Sequence, residues 1–214
     1  MLKAAVFDLD GTIMDSTEAI VESCLYTFAR VGAPRPERQH IIDLIGYPLG
    51  VQLSMILGRD ASDLVPLYRE HYGEHAPANT TLLPHAAETL EALRRAGLRI
   101  GFATSKKREV SEMLLAHLGV LGYFESRVGP DEVTRHKPDP EALHVSMANL
   151  GVGAEEMVFI GDMGFDVNAA HAAGVRCVAV STGYCTRDEL EALAPEMVFD
   201  TLEPVPEYLL NGAV

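Results

Sequence analysis

The segment AVFDLDGTIMDS, residues 5–16, carries two aspartates, Asp8 and Asp10, at the end of a run of strand-forming apolar residues, with Gly11 and Thr12 following. On an extended chain, side chains two apart point the same way, so both carboxylates face one site. Two ionised carboxylates about 4 Å apart repel by roughly 4 kcal/mol at an effective dielectric near 20. A proton or a cation must offset that repulsion. An all-oxygen set of carboxylates, carbonyl and water suits Mg²⁺, which keeps several waters and takes one or two carboxylates together with a phosphate oxygen.

Three further clusters have matching chemistry. Thr104-Ser105-Lys106 offers hydroxyls and a cation. Lys137 follows His136 in "HKPDP". Asp162 and Asp166 frame "GDMGFD" at 161–166. Ligands of an open parallel sheet bind beyond the carboxyl ends of its strands. If each cluster closes a strand, four aspartates, two hydroxyls and a lysine meet in one crevice. Lys137 and Thr104 would then hold phosphate oxygens by charge-assisted and neutral hydrogen bonds.

The elements that must position these groups are legible as an alternation. Strands are predicted over 3–8, 98–104, 126–129, 157–161, 175–180 and 197–199. Several are continuous apolar runs, as buried parallel strands are. Helical periodicity fills 86–96, 109–118, 140–150 and 167–173, and the glycines of "RAG" and "AAG" close two of these helices. The implied class is α/β, a Rossmann-like doubly wound parallel sheet with helices on both faces. Residues 16–80 break the rhythm. They contain no convincing strand, begin with a helix over 16–31, and predict an inserted all-helical cap. The core then comprises 1–15 and 81–214, with hinges near 15–17 and 78–83.

The chain has 214 residues, 48% of them hydrophobic, and a formal net charge of −14. That content suffices for a sizeable core. The acidic balance and the lack of a Lys/Arg run argue against nucleic acid. The longest stretch without a charged residue, 44–58, falls short of the roughly 20 residues of a membrane span. A strand beginning almost at once leaves no room for a signal peptide. Cys24, Cys177 and Cys185 lack metal spacing and fit reduced thiols in a cytoplasm. His71 and His75 match H-x-x-E-H, but Gly73 weakens the helix that a zinc site needs. "GVG" at 151–153 reads as a turn, His136 as a solvated loop histidine or a substrate contact, and Lys106 to Arg108 as an exposed helix start, with Lys106 on phosphate or the cap as the alternative. Arg30, Arg35, Arg38, Arg59 and Arg69 are the cap's cations, each most simply a solvated charge.

The four clusters, in this order and spacing, resemble the haloacid dehalogenase superfamily, in its magnesium-dependent phosphatase branch with a helical (C1-type) cap. "DLDGT", "TSK", Lys137 and "GDMGFD" match its motifs across essentially the whole chain. "IGYPL" at 45–49 and "KPDPEAL" are similar to its phosphoglycolate-phosphatase-like group. The resemblance implies Asp8 as nucleophile forming an aspartyl-phosphate, and Asp10 as acid–base. Asp8, Asp162 and the Asp10 carbonyl would be ligands of Mg²⁺, with Asp166 orienting waters or Lys137 from behind them. Thr104, Ser105, Lys137, Gly11 and Thr12 would contact phosphate. Met163 departs from the small polar residue more usual there. The implied partner is a small phosphorylated metabolite, phosphoglycolate foremost, acted on by a monomer or homodimer. Pyrophosphatase and sugar phosphomutase are the rivals on this fold. A phosphonate-cleaving reading fails, because 16–80 has no lysine.

Overall fold

A computed structural model describes residues 1–211. The chain runs β1 (Ala4–Phe7), β2 (Met14–Asp15), α1 (Thr17–Arg30), α2 (Arg38–Ile42), α3 (Leu49–Leu57), α4 (Val65–His75), β3 (Thr81–Leu82), α5 (Ala86–Arg95), β4 (Arg99–Ala103), α6 (Arg108–His117), β5 (Phe124–Val128), α7 (Glu141–Leu150), β6 (Met157–Gly161), α8 (Gly164–Ala173), β7 (Arg176–Val180), α9 (Arg187–Glu191), β8 (Met197–Phe199) and α10 (Val205–Asn211). Six strands form one parallel sheet in the order β5-β4-β1-β6-β7-β8. The predicted class, an α/β doubly wound sheet, is the observed one.

Both sheet faces are covered, so the central strands are apolar at every position rather than alternately. Ala5 and Phe7 of β1 join one core with Ile100, Phe102, Ile160 and Val178, under α5 and α6. Ala4 and Val6 point into the other, with Phe159, Cys177 and Ala179, against α7, α8 and α9. Chain order runs from β1 through β4 to β5, then returns to the other side of β1 at β6. The reversal lies between β1 and β6, where doubly wound sheets bind their ligands.

Between β2 and β3 the chain is helical, as expected for 16–80. Helix α1 packs on α4. Its face Ile20, Val21, Cys24 and Phe28 is buried with Tyr68 and Tyr72 in the same continuous core as the sheet's first face. The two predicted hinge segments pair with each other: β2 and β3 are antiparallel, with Met14 opposite Leu82 and Asp15 opposite Thr81. No described helix is long and apolar enough to cross a membrane.

Candidate active site

Strand β1 delivers Asp8. Its backbone N–H donates to Ile160 O at 2.8 Å, locking the strand end to β6. The chain then turns sharply: the N–H groups of Thr12, Ile13 and Met14 all point at Leu9 O. Gly11 sits in this turn at φ +83°, where a Cβ would also lie 2.4 Å from Asp162 Oδ2. Glycine is therefore required twice over, for its dihedral and for its lack of a side chain. Asp8 and Asp10 both open onto a cavity of about 360 Å³, which Thr104, Ser105, Lys106, His136, Lys137 and Asp166 also line. Ile45, Tyr47, Gln52, Tyr68 and Tyr72, all from the helical segment, form its roof.

Strand β6 ends in Gly161-Asp162. Asp162 is fully buried; its Oδ1 accepts from Thr12 Oγ1 at 2.8 Å and its Oδ2 from Tyr184 N–H at 3.1 Å. Asp166, in the first turn of α8, accepts the Asp162 and Met163 N–H groups on Oδ2 at 3.2 and 3.0 Å. A carboxylate there satisfies orphan donors and complements the helix dipole. Its Oδ1 takes Lys137 Nζ at 2.6 Å. Lys137 also reaches Ala103 O at 3.2 Å and stands 2.9 Å from Asp8 Oδ1. That last contact is one of charge, out of line for a hydrogen bond, and Asp8 Oδ1 is a buried oxygen with no donor.

Asp8, Asp162 and Asp166 each bring a carboxylate oxygen within 4.8 Å of the others, the cluster among the described residues that could hold a metal. One lysine does not balance three acids. Burial, then the Asp166 and Asp8 charges, hold the Asp162 carboxyl well above the usual carboxylate range. Burial pushes Asp166 up to about 6; Lys137 opposes the shift and Asp8 adds to it. Burial works against the Lys137 ammonium, yet Asp166 and Asp8 more than offset it and its pKa rises. Such environments mark functional sites more often than structural ones. An excess of buried carboxylates around a donorless oxygen fits a hard divalent cation.

Asp10 lines the same cavity. Its Oδ1 accepts from Ser16 Oγ at 2.5 Å, and its Oδ2 is 3.2 Å from Lys106 Nζ. Here the structure corrects the sequence. Lys106 is no exposed helix start: its side chain is only 10% exposed and donates to Tyr72 Oη at 2.6 Å, above the Tyr72 ring. His136, half-buried in its loop, lines the cavity. Gly11 and Thr12, expected at phosphate, lie behind the lining, with the Thr12 hydroxyl spent on Asp162. Met163 fills the space over Gly46, where a Cβ would fall 2.5 Å from its Sδ. His71 and His75 stack on each other at 4.1 Å and bond to Ser23 Oγ and to His71 O, respectively. Cys24 and Cys177 are buried free thiols, and burial pushes Cys24 up to about 12.

The loop after β7 was missed altogether. Thr182 Oγ1 donates to Gly11 O at 2.6 Å, Tyr184 N–H to Asp162, and Tyr184 Oη lies 3.1 Å from Thr17 Oγ1. A Cβ on Gly183 would fall 1.8 Å from Asp162 Oδ2. The strand-end rule applied to 175–180 would have singled out "STGY".

Residues 5–180 match the family profile described as "Haloacid dehalogenase-like hydrolase". A plasmid-encoded phosphoglycolate phosphatase of Cupriavidus necator is 33% identical, covering 96% of this chain and 92% of its own length. Pyrophosphatase PpaX of Bacillus velezensis is 30% identical over 93% and 92%. Among solved structures, a haloacid dehalogenase-like family hydrolase from Streptococcus pneumoniae superposes with a TM-score of 0.88 at 25% identity, covering 97% of this chain and 98% of that one. With its sheet order, its buried acidic cluster and this match over most of its length, the chain belongs to the haloacid dehalogenase-like hydrolases.

Proposed function

We propose that this hydrolase is a Mg²⁺-dependent phosphomonoesterase for a small phosphorylated metabolite, working through an aspartyl-phosphate on Asp8. The observation that carries the reading is the meeting of Asp8, Asp10, Thr104, Lys137 and Asp166 on one cavity from separate strand ends, with Asp162 directly beneath. Phosphoglycolate is the leading substrate, supported by the Cupriavidus relative's activity. The helices between residues 16 and 80 act as the cap that covers the site, and 1–15 with 81–214 as the catalytic core.

Asp8, Asp162 and the main-chain carbonyl of Asp10 are the residues that would hold Mg²⁺. When bound, the ion neutralises the carboxylate cluster and the charge of the phosphoryl group. The Asp8 carboxylate attacks phosphorus, forming the Asp8–phosphorus bond as the ester bond to the leaving oxygen breaks. Asp10 protonates that oxygen. Asp10 then takes a proton from the water that hydrolyses the aspartyl-phosphate, so one carboxyl serves as acid and then as base. Lys137 and the Thr104 hydroxyl bind phosphoryl oxygens, and Lys137 is pre-aimed by Asp166 and Ala103 O. Preorganised donors of this kind stabilise charge as it develops.

A pyrophosphatase is the second reading, favoured by the Bacillus relative. The sugar phosphomutase alternative meets a steric obstacle: mutases of this fold usually carry paired acids, Glu-Asp, where this chain has Gly161-Asp162. Any Cβ at 161 would fall 2.5 Å from Asp166.

The test is release of inorganic phosphate from p-nitrophenyl phosphate and from a panel of phosphorylated metabolites, with Mg²⁺ and with EDTA. Asp8→Asn is expected to lose at least about 10³-fold in kcat with its fold intact, as loss of a nucleophile does. A folded Asp8→Asn enzyme with full turnover would refute the mechanism.

A further inference from the structure

Three lysines line the cavity; Lys107 is paired with Glu109, and the other two, Lys106 and Lys137, stand beside the aspartates in surroundings that differ. Lys137 is encircled by three oxygens, those of Asp8, Asp166 and Ala103. Lys106 meets two among the described residues, Asp10 Oδ2 and Tyr72 Oη. Lys106 stands beside one carboxylate where Lys137 stands beside two, and of its three N–H donors one makes a hydrogen bond among the described residues, to Tyr72 Oη. Burying such a group costs several kcal/mol in effect, and an apolar side chain packed on Tyr72 would escape that cost. The arrangement makes sense if a second anion arrives.

Its location says which part of the substrate brings that anion. Lys106 Nζ is 3.2 Å from Asp10 Oδ2, the group that faces the leaving oxygen in the mechanism above, and it lies under the roof formed by Tyr47, Gln52, Tyr68 and Tyr72. It therefore stands beside the group on the leaving-oxygen side, whereas Lys137 is the lysine next to Asp8, at 2.9 Å. In a phosphorylated 2-hydroxy acid the carboxylate is one carbon from the ester oxygen. That is the shortest spacing that lets the oxygen face Asp10 while an anion faces Lys106. The cavity, about 360 Å³, is near the small end of ligand pockets.

We propose that Lys106, held by Tyr72, binds a carboxylate on the leaving alcohol, and that this site selects phosphate monoesters of short hydroxy acids. The proposal rests on the phosphomonoesterase reading and makes Lys106 its specificity-determining residue.

The experiment compares 2-phosphoglycolate, its neutral amide isostere and pyrophosphate on the Mg²⁺-loaded wild type, Lys106→Met and Lys106→Arg, with kcat/KM from phosphate release. The wild type is expected to favour the acid over the amide about tenfold or more, the factor one charge-assisted hydrogen bond supplies. Lys106→Met is expected to collapse that ratio, and Lys106→Arg to keep part of it. If Lys106→Met slows acid and amide alike with the ratio intact, Lys106 merely holds Asp10 and the proposal is overturned. A wild type that ignores the difference between acid and amide overturns it too, whether or not Lys106→Met folds, while leaving the phosphatase reading in force. A preference confined to pyrophosphate overturns the hydroxy-acid class. Absence of Mg²⁺-dependent hydrolysis of all three overturns both readings.

Discussion

Thr12 Oγ1 donates to Asp162 Oδ1 across 2.8 Å, joining side chains 150 positions apart at the ends of neighbouring strands. The bond orients a fully buried carboxylate and leaves its Oδ2 to the Tyr184 N–H. Thr12→Val preserves shape and removes the donor. It is expected to cost about 1–3 kcal/mol, the range for stranding a buried acceptor. It is also expected to weaken Mg²⁺ about 10-fold or more, as loss of a group orienting a ligand does. Chemical denaturation and a Mg²⁺ titration of activity measure the two effects; an unchanged titration would separate Thr12 from the metal.

Magnesium should stabilise the fold as well as the reaction. A cation that binds the folded acidic cluster and not the open chain adds about 2.7 kcal/mol at one hundred times its Kd. Melting temperature is expected to climb with Mg²⁺ and to fall back with EDTA. In Asp8→Asn that climb should shrink, because Asp8 supplies the oxygen that has no donor. A melting curve indifferent to Mg²⁺ in the wild type would contradict the assignment of the cluster.

Gly183 is boxed in by Asp162, whose Oδ2 lies 1.8 Å from where a Cβ would be. Gly183→Ala must push aside either the 181–184 loop or Asp162. Overpacking of this kind costs about 1–3 kcal/mol, and here it also disturbs the Tyr184 N–H contact. Reduced stability together with weakened Mg²⁺ dependence is expected. Wild-type values of both would show that the loop yields freely.

Glu141 ties the Lys137 loop from its far end. It accepts the Thr134 and Arg135 N–H groups, each at 3.0 Å, and the Thr134 hydroxyl at 2.9 Å. Those bonds, the Thr134 N–H first, pull its pKa down from 4.5 to about 2. A carboxylate depressed in the folded state stabilises that state above its unfolded pKa, and the contribution drains away as pH falls. The window is thus from about 4.5 down to about 2. Glu141→Gln should melt below wild type by a constant margin at pH 5 and higher, and the margin should close towards pH 2. A margin that widens on acidification would reverse the sign.

Much of this was readable before any coordinates because the informative residues are local in sequence. The runs at 157–161 and 197–199 became β6 and β8 without adjustment. Strand β5 was expected two residues late, since Glu125 and Arg127 interrupt its apolar pattern; they are tolerable because β5 is a sheet edge with one polar side. Helix α8 begins at Gly164, three residues before its apolar periodicity, because Asp166 caps the first turn. Lys106 was misjudged for a different reason. Its neighbours Lys107 and Arg108 are more exposed, and nothing nearby in sequence announces Tyr72, 34 residues earlier. Contacts made only by the tertiary fold, such as the Ser181–Tyr184 loop on Asp162, have no periodicity to betray them.

The pairing of Met14 with Leu82 and Asp15 with Thr81 bears on mechanics. The polypeptide leaves the sheet and re-enters it through adjacent, hydrogen-bonded strands, so the two chain connections of the helical part lie side by side. Chain connections at two distant points allow only flexing between them, whereas two side by side in a two-rung strap leave a pivot about which a body can swing as a unit.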